Sequence, residues 1–350
     1  MKKTGIILSA ALLVFVIGAQ SADAGYLRGK HYTLEEIYNV TRGLEKKHPK
    51  LVSIEEYGKS VEGRPLLAIR IARRDGVKRP EALITASIHA VEFTGDRVAL
   101  AIAEKLIDRD GADPWVTSLL DRMDFYVLPL ANPDGYARAS KRLNRGFTGR
   151  RTNAHSVDLN RNFPYPKGIE PKNSVAGSHS KLSPNYLGPH PLSEPESRAL
   201  DEFVAKHRFF VAIGFHTTGS HFVYPWACHG EVCKHKQFFE SMGKAFNEHQ
   251  KMHKYKVHQA HDWYQTVGDL DDWLYGRYGI LSVTVEVAKP GKRLINPIRL
   301  INPFWWYNPL KIEDWIENDR DATMRAIEKA FELTGGNPLP EQKIEWRLPQ

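Results

Sequence analysis

The sequence predicts an α/β fold: a single α/β/α domain whose mixed, mainly parallel twisted sheet is flanked by helices. Three observations carry that prediction. Apolar runs of strand length alternate with amphipathic helical stretches from residue 33 onward. No Gly/Ser- or Pro-rich linker interrupts them, so the residues after the first 24 read as one unit. Hydrophobic residues at 42% and charged residues at 26% allow a sizeable core.

The elements follow in order. TLEEIYNVTRGLEKKHP (33–49) opens with Thr33 and places Glu36 three residues on, a capping box, so it predicts a helix that stops before Pro49. Residues 51–72 read as two strands joined at VEGRP. EALITASIH (81–89) is a buried strand and TGDRVALAIAEKLIDR (94–109) an amphipathic helix. DFYVLPLANPDGY (124–136) is a strand ending in a turn. A helix at 194–207, strands at 209–216 and 280–288, and a closing helix at 313–333 complete the pattern. The stretch 140–187, rich in Arg, Asn, Ser and Pro, predicts a long ordered loop that serves a site.

Residues 1–24 combine a basic start, an apolar core and small residues at Ala22 and Ala24. They predict a secretory signal peptide, and hence a secreted or periplasmic protein whose folded part is residues 25–350. The apolar core is too short for a membrane span, and no later segment resembles one. Net charge is +8 without a basic run interleaved with aromatics, so the basicity reads as diffuse and nucleic acid is not an expected partner. A monomer is expected. Cys228 and Cys233 are the two cysteines. In an exported chain their spacing favours a local disulfide over free thiols, and over a metal site that would want four ligands.

His89 and Glu92 form H-x-x-E at the end of the strand 81–89. A solvated turn offers the same two residues, so the pair alone decides nothing. Catalytic zinc takes three protein ligands and keeps one position open. His216 ends its apolar strand as His89 ends its own, and sites in open α/β sheets gather beyond the carboxyl ends of strands. His221 is the rival, but it lies past the following turn. Glu286 is the one charge within the apolar run LSVTVEV. Burying it is costly unless it is paired or put to use, as a base that takes a proton from metal-activated water.

With NPDGY (132–136), VDLNRNFPY (157–165), SEPE (193–196) and YPW (224–226) in sequence, the chain resembles the zinc metallocarboxypeptidases. That family includes pancreatic carboxypeptidases A and B and bacterial relatives, and the likeness covers nearly everything from residue 31 to the last helix. It implies one Zn²⁺ held by His89, Glu92 and His216, with Asp158 fixing the tautomer of His89. It implies Glu286 as general base. Arg145, which matches by its offset from VDLNR better than Arg142, Arg150 or Arg151, would polarise the scissile carbonyl. Asn160 and Arg161 would clamp the free C-terminal carboxylate of a peptide substrate, and Tyr264 would close over it. Asp271 falls where B-type members carry an acid at the floor of the side-chain pocket, which implies preference for C-terminal Lys or Arg. Asp269 and Asp272 add charge nearby, Asp272 in a structural role.

The same acidic pocket could receive diaminopimelate. The alternative is therefore a cell-wall peptide carboxypeptidase or amidase, or an N-acyl amino acid deacylase, on this scaffold. Two departures stand out. Val91 occupies the place where many relatives have Arg, and no room is left for a long N-terminal pro-domain, so activity on secretion is expected.

Overall fold

The computed structural model describes residues 31–142, 150–289 and 304–349. Helix α1 (Leu34–Lys47) begins as its capping box requires: Thr33 Oγ1 accepts from the Glu36 N–H, and the Glu36 carboxylate accepts from the Thr33 N–H at 2.6 Å. Strands β1 (Val52–Lys59) and β2 (Pro65–Ile71) form an antiparallel hairpin. β3 (Glu81–Ala86), α2 (Gly95–Asp108), α3 (Pro114–Arg122) and β4 (Asp124–Leu128) follow, with β3 and β4 parallel.

NPDGY departs from the expected turn, because it starts helix α4 (Pro133–Arg142). Asn132 Oδ1 accepts from the Gly135 N–H at 3.0 Å, and Pro133 stands where a helix needs no N–H donor. Residues with turn chemistry here cap a helix.

The long loop after α4 contributes one short strand, β5 (Tyr165–Pro166). Then come α5 (Pro195–Lys206), β6 (Phe209–Thr217), β7 (His221–Tyr224), α6 (Lys236–His249), β8 (Lys256–Gln259), α7 (Leu270–Tyr278), β9 (Leu281–Val287) and α8 (Ile312–Thr334). Eight strands share one mixed sheet in the order β1-β2-β4-β3-β6-β9-β7-β8. Its centre, β4-β3-β6-β9, is parallel. β6 is buried along its whole length, as the unbroken run FFVAIGF suits a strand covered on both faces. Helices α1, α2, α6 and α8 cover one face. α5 and α7 cover the other, tied together by Trp273 Nε1 donating to Asp201 at 2.7 Å.

This topology brings the ends of β3, β6 and β9 to one edge. His216 pairs in register with Glu286 across β6 and β9. Just past the three strands, Ser87, Ser220 and Ala288 adopt left-handed φ of 54°, 59° and 68°. Such backbone costs energy for a non-glycine residue, and here it turns the chain where functional side chains leave the sheet.

Candidate metal and substrate site

Beyond that edge, His89, Glu92 and His216 converge, each almost wholly buried, with their donor atoms within 4.8 Å of one another. His89 Nδ1 lies 2.9 Å from Glu92 Oε1 and 3.0 Å from His216 Nδ1, and His216 Nδ1 lies 3.1 Å from Glu92 Oε2. Two imidazole Nδ1 atoms facing each other across a carboxylate are poorly satisfied by one another. A single cation among them satisfies all three, and two nitrogens with one carboxylate is a donor set of catalytic zinc. Among the described residues no other group of His, Cys, Asp or Glu gathers this way.

Asp158 stands behind the triad. Its Oδ1 lies 3.2 Å from His89 Nε2 and accepts from the Asn160 N–H at 3.1 Å. It thereby holds the proton on Nε2 and leaves the Nδ1 lone pair for the ion. Burial works against its charge, but Arg151 and His89 outweigh that and hold its carboxyl far below the usual range. Arg151 Nε is 3.1 Å from Asp158 Oδ2 yet off the hydrogen-bond direction, so the attraction is coulombic.

Arg151 is a cation of the site that the sequence spacing ranked behind Arg145. Arg145 lies outside the described residues. Arg151 reaches the site because its own carbonyl accepts from the Ala90 N–H at 3.0 Å, directly beside His89, while its guanidinium packs against the His89 ring. The legible signal was its place seven residues before Asp158, on the same loop.

Glu286 carries its carboxylate from β9 into the gap beside His216. Burial, reinforced by the charge of Glu92, raises its pKa to about 7, against the opposing pull of His216 and Arg151. A pocket of about 50 Å³ runs from it past Asn160, Arg161 and Tyr264 to Asp269 and Asp271. Asn160 Oδ1 accepts from the Leu270 N–H at 3.0 Å, which locks its amide at the start of α7. Arg161 is buried and donates to the Asn160 carbonyl at 2.8 Å and the Val175 carbonyl at 3.3 Å, and it lines the pocket together with Tyr264. Gly268, at φ +70°, lets the chain lie against Arg161: a Cβ there would stand 2.3 Å from the Arg161 carbonyl oxygen.

The floor is acidic. Asp271 accepts from Ser282 Oγ at 2.5 Å and Thr284 Oγ1 at 2.6 Å, and burial with the neighbouring Asp269 charge raises its pKa to about 6. Asp269 caps α7, accepting from the Asp272 N–H. Asp272 accepts from the Ala227 and Cys228 N–H groups, so it anchors a loop, as expected.

On the other side of Glu286 a second opening of about 240 Å³ is walled by Arg151, Trp263, Trp306 and Tyr307. Trp263 is stacked on His221, which in turn meets His258 at 2.8 Å. His221 therefore stays out of the metal triad. Val91 is buried and lines neither opening.

The expected disulfide is not formed: Cys228 and Cys233 are buried free thiols. Their backbones are held apart by different partners: the Cys228 N–H donates to Asp272 at 2.9 Å, and the Cys233 N–H donates to Gln259 Oε1 at 3.1 Å.

Comparison with known proteins agrees with this geometry. Residues 37–308 match the family described as zinc carboxypeptidase. Mouse carboxypeptidase A1 is 30% identical over 291 residues, covering 80% of this chain and 67% of its own length. Human carboxypeptidase B2 is 28% identical, covering 81% of this chain and 68% of its own. Other curated relatives are covered less: this chain spans 64% of rat carboxypeptidase A1 and 49% of mouse carboxypeptidase A4. Among solved structures, thrombin activatable fibrinolysis inhibitor shares the fold at TM-score 0.71 and 24% identity, over 89% of this chain and 76% of that one. Carboxypeptidase A from Helicoverpa armigera does so at TM-score 0.70 and 23% identity, over 92% and 78%.

Proposed function

The chain belongs to the zinc carboxypeptidase family, and from that premise we propose that it removes the C-terminal residue of peptides, preferring Lys or Arg. The observation that carries this is one continuous pocket joining clamp, base and acidic floor. When bound to the triad, the zinc ion supplies Lewis acidity to water and to the scissile carbonyl. His89, Glu92 and His216 would hold that ion, and Asp158 orients His89 for it.

Glu286 takes the proton of the attacking water and passes it to the leaving amine, a task suited to a half-buried carboxylate that shares both openings with His89. Arg151 is the described cation beside the reacting carbonyl, where it offsets the negative charge that develops on oxygen, and Arg145 is a second candidate for that task. Arg161 and Asn160 hold the terminal carboxylate, and Tyr264 covers it. Asp271 receives the ammonium or guanidinium of the departing residue. Four carboxylates against one arginine line this pocket, which favours a cationic side chain over the second carboxylate of diaminopimelate. The cell-wall and deacylase alternatives are not favoured.

Export directed by residues 1–24, and action of residues 25–350 as a monomeric catalytic unit, belong to the same proposal. Among the described residues no helix is long and apolar enough to cross a membrane.

The test is release of the last residue from blocked peptides ending in Lys, Arg, Phe, Glu or diaminopimelate, using zinc-loaded protein. Lys or Arg should be released fastest. Preference for Phe would remove Asp271 from its role, and exclusive release of diaminopimelate would move the substrate to the cell wall.

A further inference from the structure

We propose that the protein also binds a linear phosphate polymer in a cationic groove at the end of the sheet opposite the metal site. The groove, about 750 Å³, lies between the loop after β2 and the segment joining α5 to β6, with Gly336 and Asn337 closing a third side. Its floor is the start of β3 and β4, at Glu81 and Asp124, whereas the metal triad lies beyond the other end of β3.

Seven arginine and lysine side chains line it against those two carboxylates. The acids are already engaged. Asp124 accepts from Arg70 at 2.8 Å, and Glu81 accepts from the Arg208 N–H at 2.8 Å and faces His207 at 3.2 Å. Nearby, Arg73 is paired with Asp110 and Asp121, and Arg79 with Asp75. Four exposed cations remain, Arg74, Lys78, Lys206 and Arg208, none with a carboxylate partner among the described residues. Lys206 also complements the C-terminus of α5, but Arg74 and Lys78 have no helix end to serve. The fold thus turns a basicity that looks diffuse along the chain into two facing rims.

A concave groove with cations on two facing rims suits a single thin chain better than a flat lipid surface. Regularly spaced phosphates match it, because guanidinium forks meet phosphate oxygens bidentately and ammonium groups bind them as point charges. The catalytic cleft opens at the far end of the sheet, so an occupied groove leaves peptide access free.

The experiment measures binding of fluorescent inorganic polyphosphate to the full protein, beside a sulfated glycan and phosphatidylglycerol vesicles. Affinity for polyphosphate should exceed both. With four contacts it should fall about 50-fold between about 50 and 200 mM salt. The Arg74→Glu/Lys78→Glu and Lys206→Glu/Arg208→Glu variants should each lose at least tenfold. Lys236→Glu/Lys244→Glu on α6, with the same change in net charge, should keep the wild-type value. Peptide hydrolysis should stay within twofold in every variant and with polymer bound, which also reports correct folding. No polyphosphate binding, tighter binding of glycan or vesicle, or an equal loss in the α6 variant would overturn the proposal.

Discussion

The two ends of the parallel sheet use the same ingredients to different effect. At one end, carboxylates and imidazoles are drawn out of water: Asp158 is fully buried and His89 is 4% exposed. At the other, Arg73, Arg79 and their acids form ion pairs that water can reach. Burial is what separates them. In the dry cluster each charge sets the protonation of its neighbours, so one substitution reaches the chemistry. On the wet rim the pairs are screened and nearly independent.

Substitutions should therefore grade steeply from one end to the other. The largest effect is expected on removing the metal: chelation should take peptidase activity to background, and zinc should restore it. Glu286→Gln comes next, lowering kcat by about 10²–10⁴-fold with zinc content unchanged, as read by metal analysis beside kinetics. The wild-type pH profile sharpens this point. Catalysis needs Glu286 ionised, so kcat/KM should rise with pH through an acid limb. The pKa of about 7 belongs to the chain without an ion, and a cation on the triad must lower it, so the limb of the zinc enzyme should lie below 7.

Asp271→Asn should cost Lys and Arg peptides at least about 30-fold in kcat/KM, the cost of leaving a buried cation unpaired, and leave Phe peptides unharmed. Asp158→Asn should weaken zinc binding by about 10–100-fold, measured by competition with a chelator. The smallest change is expected at the far end, where Arg73→Ala should alter unfolding free energy by about 0–1 kcal/mol in a denaturant titration. A large effect there would break the contrast between the two ends.

Much of the dry end was legible in the sequence because its chemistry sits where periodic patterns stop. His89 follows one apolar strand and His216 closes another, Glu286 interrupts a third, and VDLNR places Asp158, Asn160 and Arg161 together. Arg151 was ranked behind Arg145 because several arginines share one loop, and the bond between its carbonyl and the Ala90 N–H, which holds it beside His89, is not legible in the spacing. NPDGY misled because Asn, Pro and Gly serve turns and helix starts equally, and the bond from Gly135 to Asn132 settles the matter. The cysteine spacing allowed a disulfide but could not reveal that Asp272 and Gln259 hold the two cysteine backbones separately. The wet rim was the least legible, since its cations come from segments more than 120 residues apart, at Arg74 and Arg208.

The central claim is that Glu286 and the triad act on the last peptide bond because Asn160 and Arg161 hold a free carboxylate. The most direct measurement compares kcat/KM for one blocked peptide ending in Lys with that of its C-terminal amide, on the zinc enzyme and on Glu286→Gln. The account predicts that the amide loses at least about 30-fold, as expected when Arg161 has no carboxylate to meet, and that Glu286→Gln fails on both. Equal cleavage of acid and amide by the wild type would contradict it, because the clamp would then have no part in choosing the bond.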